Sequence, residues 1–283
     1  MMKSIENRGI TATDTLKNEV AGKTKSLKER IKTNAELFAK SNPEIKGHIT
    51  PTGVYLFDDV KMNFILESFD NIKRHPDWFI RIEKKLKDHP GVFEMQSSNS
   101  SDALLMNIFC YPDFISENKF TENKMKFGWN PNFSYEKKKL EYLKKIGKDK
   151  EFHFSEIDLK IDNSIFEAKL TETDFGDKEI ETVKRYDGFQ CVFNEKLLSK
   201  TEDGLKYRNY QLIRYILAAF KDYLEFILLV DETRNDLIED FENTKKSVKI
   251  SEFQKKICYK TWQDLIRGCK AEKLRKYISE RYF

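Results

Sequence analysis

The sequence predicts a mixed α/β domain in which a central sheet is flanked by helices, and three stretches support this prediction. Residues 151–176 contain two runs in which apolar and polar side chains alternate, which is the period of a half-buried strand. Residues 225–231 form a short apolar run, typical of a buried strand in a partly parallel sheet. Between them, residues 207–223 have the apolar spacing of an amphipathic helix.

The N-terminal part of the chain is predicted to be mainly helical. Residues 1–45 are polar and lysine-rich, and an apolar stripe that follows Asp14 predicts a peripheral packing helix rather than a DNA-binding arm. A short strand at 54–57 and two amphipathic helices, near 59–73 and 76–88, are predicted next.

Two domains are predicted, a helical N-terminal region at 1–90 and a core with C-terminal helices at 91–283. No low-complexity linker separates them, so one continuous domain is the alternative.

Two further helices are predicted before the alternating runs. Serines and Asn99 offer capping oxygens to a helix at 103–109, whose apolar residues run almost all round it, so it must be buried. A helix at 134–146 is basic and would suit contacts to phosphates. An ordinary solvated helix, with Glu136 and Glu141 paired to nearby lysines, is an equal alternative. Its lysines are Lys137, Lys138, Lys139, Lys144 and Lys145.

The two alternating runs predict a hairpin with a chemically unusual face. Asn163-Ser164 are turn-forming residues, and a two-residue loop there would set Asp158 opposite Lys169 and diagonal to Glu167. Two carboxylates and a lysine on one face make chemical sense if a divalent cation lies between the carboxylates, because hard cations take oxygen ligands. A water polarised by such an ion, beside an ammonium group, is a nucleophile suited to a phosphodiester.

The composition excludes several other classes of protein. The chain has 51 basic and 47 acidic residues, so its net charge of +4 does not by itself imply a nucleic-acid partner. The four cysteines and four histidines lack metal-ligand spacing, and His153 is expected to face away from Asp158. The longest apolar run, residues 226–230, is too short to span a membrane, and no signal peptide is evident. We therefore expect a cytoplasmic protein without a membrane segment.

Asp158 and Glu167-Ala168-Lys169 resemble the Asp…(Asp/Glu)-x-Lys signature of the PD-(D/E)xK nuclease superfamily, the restriction-endonuclease-like fold. The resemblance extends over roughly residues 92–265. The serine-rich stretch before the buried helix is similar to one bacterial restriction and defence branch, although Ser101-Asp102 stands where that branch has Ser-Gln. The Tyr-Gln-Leu-x-Arg segment around Gln211 is similar to the same branch.

The resemblance implies an αβββαβ core, whose first strand would lie near 151–154 or within 92–96. It implies that Asp158, Glu167 and the backbone carbonyl of Ala168 ligate Mg²⁺, with Mn²⁺ as a substitute, and that Lys169 holds or activates the attacking water. Glu94, Asp102 and Gln211 are possible additional site residues; the alternative for Glu94 and Asp102 is a capping or surface acid, and for Gln211 it is plain packing. If the basic helix contacts DNA phosphates, Lys137, Lys138, Lys144 and Lys145 would make these contacts.

The implied function is that of a metal-dependent DNA endonuclease, a type II restriction enzyme or a related defence nuclease. Its partner would be double-stranded DNA, and many restriction enzymes of this fold act as homodimers. The alternatives are another nuclease of the same fold, acting in repair or on RNA, a catalytically inactive DNA-binding or scaffold protein, and an unrelated α/β domain.

Overall fold

The computed structural model describes residues 12–86, 91–149, 152 and 154–283. His153, considered in the sequence analysis, lies outside the described residues. The helices are α1 (Ala12–Ser41), α2 (Leu66–Arg74), α3 (Pro76–Ile82), α4 (Ser101–Phe109), α5 (Pro112–Glu117), α6 (Ser134–Lys145), α7 (Ile180–Val183), α8 (Phe189–Val192), α9 (Tyr210–Lys221), α10 (Asn235–Lys246), α11 (Ser251–Gln254), α12 (Trp262–Arg267) and α13 (Glu272–Tyr282). The strands are β1 (Gly47–Ile49), β2 (Tyr55–Phe57), β3 (Lys126–Trp129), β4 (Ile157–Ile161), β5 (Ser164–Ala168), β6 (Lys178–Glu179), β7 (Lys206–Tyr207), β8 (Glu225–Val230) and β9 (Ile257–Thr261).

A five-stranded mixed sheet, in the order β3-β4-β5-β8-β9, forms the centre of the fold. The first three strands pair antiparallel, whereas β8 pairs parallel with both β5 and β9. A parallel connection needs a crossover, and α9 lies within the crossover from β5 to β8. The predicted mixed sheet flanked by helices, with an additional N-terminal helix, is confirmed.

The two faces of the sheet are covered by separate apolar clusters. One cluster contains Leu159, Phe166 and Leu229 together with side chains of α1, α4, α12 and α13. The other contains Ile165 and Phe226 together with side chains of α9 and α10. Because both faces are covered, β8 is apolar along nearly its whole length, as a buried parallel strand must be.

The hairpin β4–β5 is present, but its turn differs from the prediction. Ile161 pairs with Ser164, so the two-residue loop is Asp162-Asn163, and Asp162 has a φ of 46°. Asp residues adopt this left-handed conformation more readily than most non-glycine residues do. The predicted Asn163-Ser164 turn was therefore wrong by one position, which shifts the pairing by two residues.

The first strand of the core also lies elsewhere than predicted. It is β3, whereas residues Glu94–Gln96 form a single 3-10 turn. Of the range 151–154, residues 152 and 154 are irregular, and residues 151 and 153 lie outside the described residues. Gly128 within β3 has a φ of 65°, a left-handed conformation that favours glycine. The position within 92–96 was therefore wrong, and the position near 151–154 lies partly outside the described residues.

Most predicted helices are present with modest changes of boundary. Helix α4 is buried at every position from Ala103 to Phe109, and the Ser100 hydroxyl accepts a hydrogen bond from the Ala103 amide at 3.1 Å. The helix predicted at 59–73 is instead a 3-10 turn, Val60–Asn63, followed by α2. Helix α1 begins at Ala12, so Asp14 lies inside it rather than before it.

Helix α1 packs on α13, and the cluster that it joins includes residues from both sides of position 90. The boundary near residue 90 stays a prediction. Among the residues that the structure describes, no helix has both the length and the apolarity needed to cross a bilayer.

Candidate active site

The hairpin brings Asp158 and Glu167 to neighbouring positions on one face of the sheet. Leu159 pairs with Phe166, and continuing this register by one residue sets Asp158 opposite Glu167 rather than opposite Lys169. The Ala168 amide donates a hydrogen bond of 2.8 Å to Asp158 Oδ2. The Asp158 carboxylate is thereby fixed against the strand that carries its partner.

The buried carboxylate of Glu167 is only half satisfied. Lys169 Nζ lies 3.1 Å from Glu167 Oε1, whereas Glu167 Oε2 is buried and no nitrogen or hydroxyl group donates to it; the carboxyl group of Asp158 lies within hydrogen-bonding reach of Glu167. Lys169 also donates to Gln211 Oε1 at 2.8 Å, from the first turn of α9. The side chains of Glu167 and Lys169 are 4% and 7% exposed, so a polar group of the site remains unpaired in a place that little solvent reaches.

Two backbone hydrogen bonds fix Lys169 just beyond the end of β5. Its amide donates to the Leu229 carbonyl at 2.8 Å, and its own carbonyl accepts from Trp262 Nε1 at 2.9 Å. Trp262 was interpreted from the sequence as a core residue, and it is fully buried. Its indole has the additional role of holding the backbone of a predicted site residue.

Arg81, on α3, is a member of the site that the sequence analysis missed. Its guanidinium contacts Asp102 at 2.8 Å, Asp158 at 3.4 Å and Glu156 through a close charged hydrogen bond. Gly128 makes room for these groups, since a Cβ there would lie 3.2 Å from Arg81 Nη1. One guanidinium thus joins three carboxylates at the edge of the hairpin.

The electrostatics of the site are those of crowded carboxylates. Burial raises the pKa of Asp158 well above its ordinary value, and Glu167 and Asp102 raise it further. Burial also raises the pKa of Glu167, which Lys169 only partly opposes. For Lys169, burial acts to lower the pKa, but Glu167, Glu172 and Asp158 outweigh it, so that the pKa is raised and the ammonium form is favoured.

These groups line a cavity of about 370 Å³ that opens to solvent. Six carboxylates and four basic groups line it, so with all of them ionised the cavity has two negative charges in excess. The carboxylates are Glu94, Asp102, Glu156, Asp158, Glu167 and Glu172, and the basic groups are Arg81, Lys84, Lys169 and Arg214.

The additional predicted residues occupy different parts of this cavity. Asp102 is tied to Arg81, and Glu94 pairs with Lys84 at 3.1 Å. Gln211 contacts Lys169, so it lies at the centre of the site.

The basic helix α6 lies next to the cavity. Glu136 is buried and accepts hydrogen bonds from the amide and hydroxyl of Ser155, so the predicted pairing of Glu136 with surface lysines was wrong. Glu141 is exposed, and the alternative of an ordinary solvated helix stays open. Ser155 directly precedes Glu156, and Phe154 lines the cavity. The lysines of α6 are exposed, namely Lys137, Lys138, Lys139, Lys144 and Lys145.

Comparison with known proteins identifies the family. A family model described as "Restriction Endonuclease associating with ARP" matches residues 32–283, far more than half of the chain. The chain belongs to this restriction-endonuclease family. No curated protein and no solved structure matches the chain. Membership agrees with the superfamily resemblance that Asp158, Glu167 and Lys169 indicate.

A metal ion of the kind that restriction-endonuclease chemistry implies would fit these residues. Within the described residues, no three His, Cys, Asp or Glu side chains already converge as a metal cage. Mg²⁺ does not require one, because it is commonly held by one or two carboxylates and keeps several waters. The unpaired Glu167 Oε2 and the raised pKa values of Asp158 and Glu167 are the features that a bound cation would relieve.

Proposed function

We propose that this member of the restriction-endonuclease family is a Mg²⁺-dependent endonuclease that hydrolyses phosphodiester bonds of double-stranded DNA, in restriction or a related defence against foreign DNA. The observation that carries the proposal is the state of Glu167. It is buried beside Asp158, one oxygen faces Lys169, and the other has no partner. A purely structural acid at this depth would be expected to have both oxygens satisfied.

Asp158, Glu167 and the backbone carbonyl of Ala168 would hold the ion, and Mn²⁺ should substitute for Mg²⁺ because both prefer oxygen ligands. A bound divalent ion supplies Lewis-acid polarisation of a phosphoryl oxygen. The chain's own contribution is to place two carboxylates of neighbouring strands side by side and to exclude bulk water from them.

Lys169 would hold or activate the attacking water. In the metal-free site, burial acts to lower its pKa, but Glu167, Glu172 and Asp158 raise it, which favours the ammonium form that donates hydrogen bonds. Glu167 and Gln211 accept two of its three hydrogens, which leaves one to orient the attacking water or a phosphate oxygen. In that position it would offset the negative charge that gathers on the phosphorus centre in the transition state.

Helix α6 would bind the DNA backbone beside the cavity. Its exposed lysines offer ammonium groups that can bind phosphates. The same helix is held next to β4 by the hydrogen bond that the Ser155 amide, two residues before that strand, donates to Glu136. Lys139 Nζ also lies 5.8 Å from the Phe152 ring, and Phe152 contacts the cavity-lining Phe154. This sequence of contacts links the basic face to the mouth of the cavity.

Incubation of plasmid DNA with the purified protein, with Mg²⁺, with Mn²⁺ and with EDTA, tests the proposal. Cutting is expected only with a divalent ion, with products that carry a 5′-phosphate and a 3′-hydroxyl. Glu167→Gln and Lys169→Met should abolish cutting while DNA binding in Ca²⁺ is retained. Matched controls are Glu179→Gln and Lys206→Met, which alter an exposed pair on β6 and β7 whose charged atoms lie 3.6 Å apart, and they should cut normally.

The same assay separates the alternatives. Discrete fragments support restriction, and a smear supports a nonspecific nuclease of the same fold. Cleavage of RNA in place of DNA identifies an RNA-cutting enzyme. Intact DNA with a retarded gel band supports a binding protein, and normal cutting by Glu167→Gln overturns the site assignment. Light scattering of the protein with and without DNA tests whether it forms the homodimer of many restriction enzymes.

A further inference from the structure

Of the four basic side chains that line the cavity, one forms no ion pair within the described part of the chain. Arg81, Lys84 and Lys169 each contact a carboxylate. The exception is Arg214, on α9, which is half-buried and whose Nε is buried without a hydrogen-bond partner. Charged groups that lie inside a protein are usually paired, so the guanidinium of Arg214 retains N–H groups with which it can bind an anion.

Aromatic side chains hold this guanidinium where a carboxylate would otherwise do so. Its central carbon lies 5.3 Å from the centre of the Tyr210 ring and 5.0 Å from that of the Tyr215 ring. Nη2 also donates a hydrogen bond of 3.2 Å to the Tyr215 hydroxyl. Contacts with aromatic rings fix a guanidinium without neutralising its charge, and they leave its remaining N–H groups available to a ligand.

The Tyr210 ring is itself fixed by contacts that lead to helix α6. Its hydroxyl lies 2.6 Å from the hydroxyl of Tyr186, and Tyr186 donates a hydrogen bond of 3.1 Å to Glu136 on α6. A short series of contacts therefore joins Arg214 to the helix that is proposed to bind the DNA backbone.

Arg214 lies on the same face of α9 as residues that already belong to the site. Gln211, Arg214 and Tyr215 are three and four positions apart, which sets side chains on one face of a helix, and all three line the cavity. Gln211 contacts Lys169. Burial raises the pKa of Glu167, and the charges of Lys169 and Arg214 both act against that rise. The guanidinium is thus close enough to the central carboxylates to affect them without being paired to them.

We propose that Arg214 binds the phosphodiester group that enters the cavity, through the N–H groups that no carboxylate of the described residues occupies. A planar guanidinium can donate to two oxygens of one phosphate, which fixes the orientation of the phosphate as well as its position. Arg214 would then orient the scissile phosphate and offset the negative charge that gathers on it in the transition state. This inference rests on the proposed function, since it assumes that a phosphodiester is the substrate.

Cutting and binding assays on Arg214 variants test the proposal. Arg214→Met should lower the Mg²⁺-dependent cutting rate by about 100-fold, as the loss of one donor to a developing negative charge does. Arg214→Lys should recover part of this rate, because it retains the charge but not the planar fork. In Ca²⁺, the slope of log K for DNA against log salt concentration should decrease in magnitude by about 0.9 in Arg214→Met, for one lost phosphate contact. The control is Arg208→Met, at an exposed position just before α9, which should match the wild-type protein in both assays.

Two further measurements separate phosphate binding from a structural role. Methylguanidinium added to Arg214→Ala should raise its cutting rate, because the free cation can enter the space that the side chain leaves, and it should not activate Glu167→Gln. The urea midpoint of Arg214→Met, measured without metal or DNA, should equal or exceed that of the wild-type protein. The reason is that an apolar side chain replaces a half-buried cation that has no ion pair within the described residues.

Several outcomes would overturn the proposal, and they differ from failure of the proposed function. Cutting by Arg214→Met within about twofold of the wild-type rate would exclude a role in the reaction, and an unchanged salt slope would exclude a phosphate contact. A lowered urea midpoint with no effect of methylguanidinium would assign Arg214 a structural role. A wild-type protein that does not cut DNA with Mg²⁺, or a Glu167→Gln protein that cuts normally, would instead refute the proposed function.

Discussion

The hydrogen bond from Trp262 to the Lys169 carbonyl should be essential for placing the Lys169 ammonium. Trp262→Phe removes the indole donor but keeps an aromatic ring in the core. The donor lies 2.9 Å from the carbonyl, and the tryptophan is fully buried, so no water is at hand to replace it. An unpaired buried acceptor costs about 1–3 kcal/mol. The space left by the smaller ring adds to this, and we expect a loss of about 2–4 kcal/mol in the free energy of unfolding.

The effect on cutting should exceed what the lost stability explains. The Lys169 amide would still donate its hydrogen bond to the Leu229 carbonyl, but the second restraint on the Lys169 backbone would be lost. A displacement of a catalytic group by about 1 Å can lower the rate by about a hundredfold. We expect the Mg²⁺-dependent cutting rate of Trp262→Phe to fall by about 10- to 100-fold, measured at a temperature where urea titration shows that the variant is folded.

Tyr207→Phe is a suitable control for this experiment. It removes a 2.8 Å hydrogen bond to Glu195 from another fully buried aromatic residue, which lies in the apolar cluster of α9 and α10. It should lose stability but cut at the wild-type rate. A Trp262→Phe protein that cuts within twofold of wild type would refute the role of this hydrogen bond.

Four other perturbations have expected outcomes. Replacing Lys138 and Lys145 by Glu should weaken DNA binding, measured by fluorescence anisotropy. The slope of log K against log salt concentration should decrease in magnitude by about 0.9 for each phosphate that is no longer neutralised. An unchanged slope would exclude α6 from the DNA interface. Gln211→Leu should lower the cutting rate by about tenfold, because it removes a hydrogen bond to the charged Lys169, and such bonds are worth about 1.5–3 kcal/mol. The control is Gln190→Leu, at an exposed position on α8, which should cut at the wild-type rate. Gly128→Ala should destabilise the protein by about 1–3 kcal/mol, because a Cβ would be forced into a left-handed φ and would crowd Arg81; a neutral result in urea unfolding would contradict that close approach. The fourth outcome concerns pH: the raised pKa of Asp158, caused first by burial and then by Glu167, means that the folded state binds its proton more tightly than the unfolded chain does. That stabilisation is complete below about pH 3.9, the ordinary value of an aspartate, and is lost as pH rises through the folded pKa. In EDTA, the urea midpoint of Asp158→Asn should therefore rise relative to that of the wild-type protein as the pH increases from 4 to 8. A difference between the two midpoints that does not change with pH would refute the raised pKa of Asp158.

The hairpin could be predicted because its information is local. Alternation fixes which residues share a face, and an error of two residues in register preserves that assignment, since side chains repeat every second position. Asp158, Glu167 and Lys169 were thus grouped correctly on one face although the turn was placed one residue too late. Asp162, Asn163 and Ser164 are all turn-forming residues, and the sequence offers no means of choosing among them.

The partners that fix these groups could not be predicted, because they are remote in the chain. Arg81 lies 77 residues from Asp158, and Trp262 lies 93 residues from Lys169. Each has an ordinary local setting, Arg81 on an amphipathic helix and Trp262 at the start of a short one. Their roles arise only when α3 packs on β3 and when α12 follows β9 beside the centre of the sheet.

Charge distribution explains why the overall composition says so little about the partner. The chain is nearly neutral, yet acidic side chains outnumber basic ones by two along the cavity, and the neighbouring helix α6 presents exposed lysines. A phosphate backbone would be attracted by α6 and repelled by the bare cavity, because interactions in a site of low dielectric are weakly screened. The divalent ion proposed between Asp158 and Glu167 would offset that repulsion. The ion proposed for the chemistry would then also help the scissile phosphate to approach, and we expect DNA binding near the cavity and metal binding to strengthen each other.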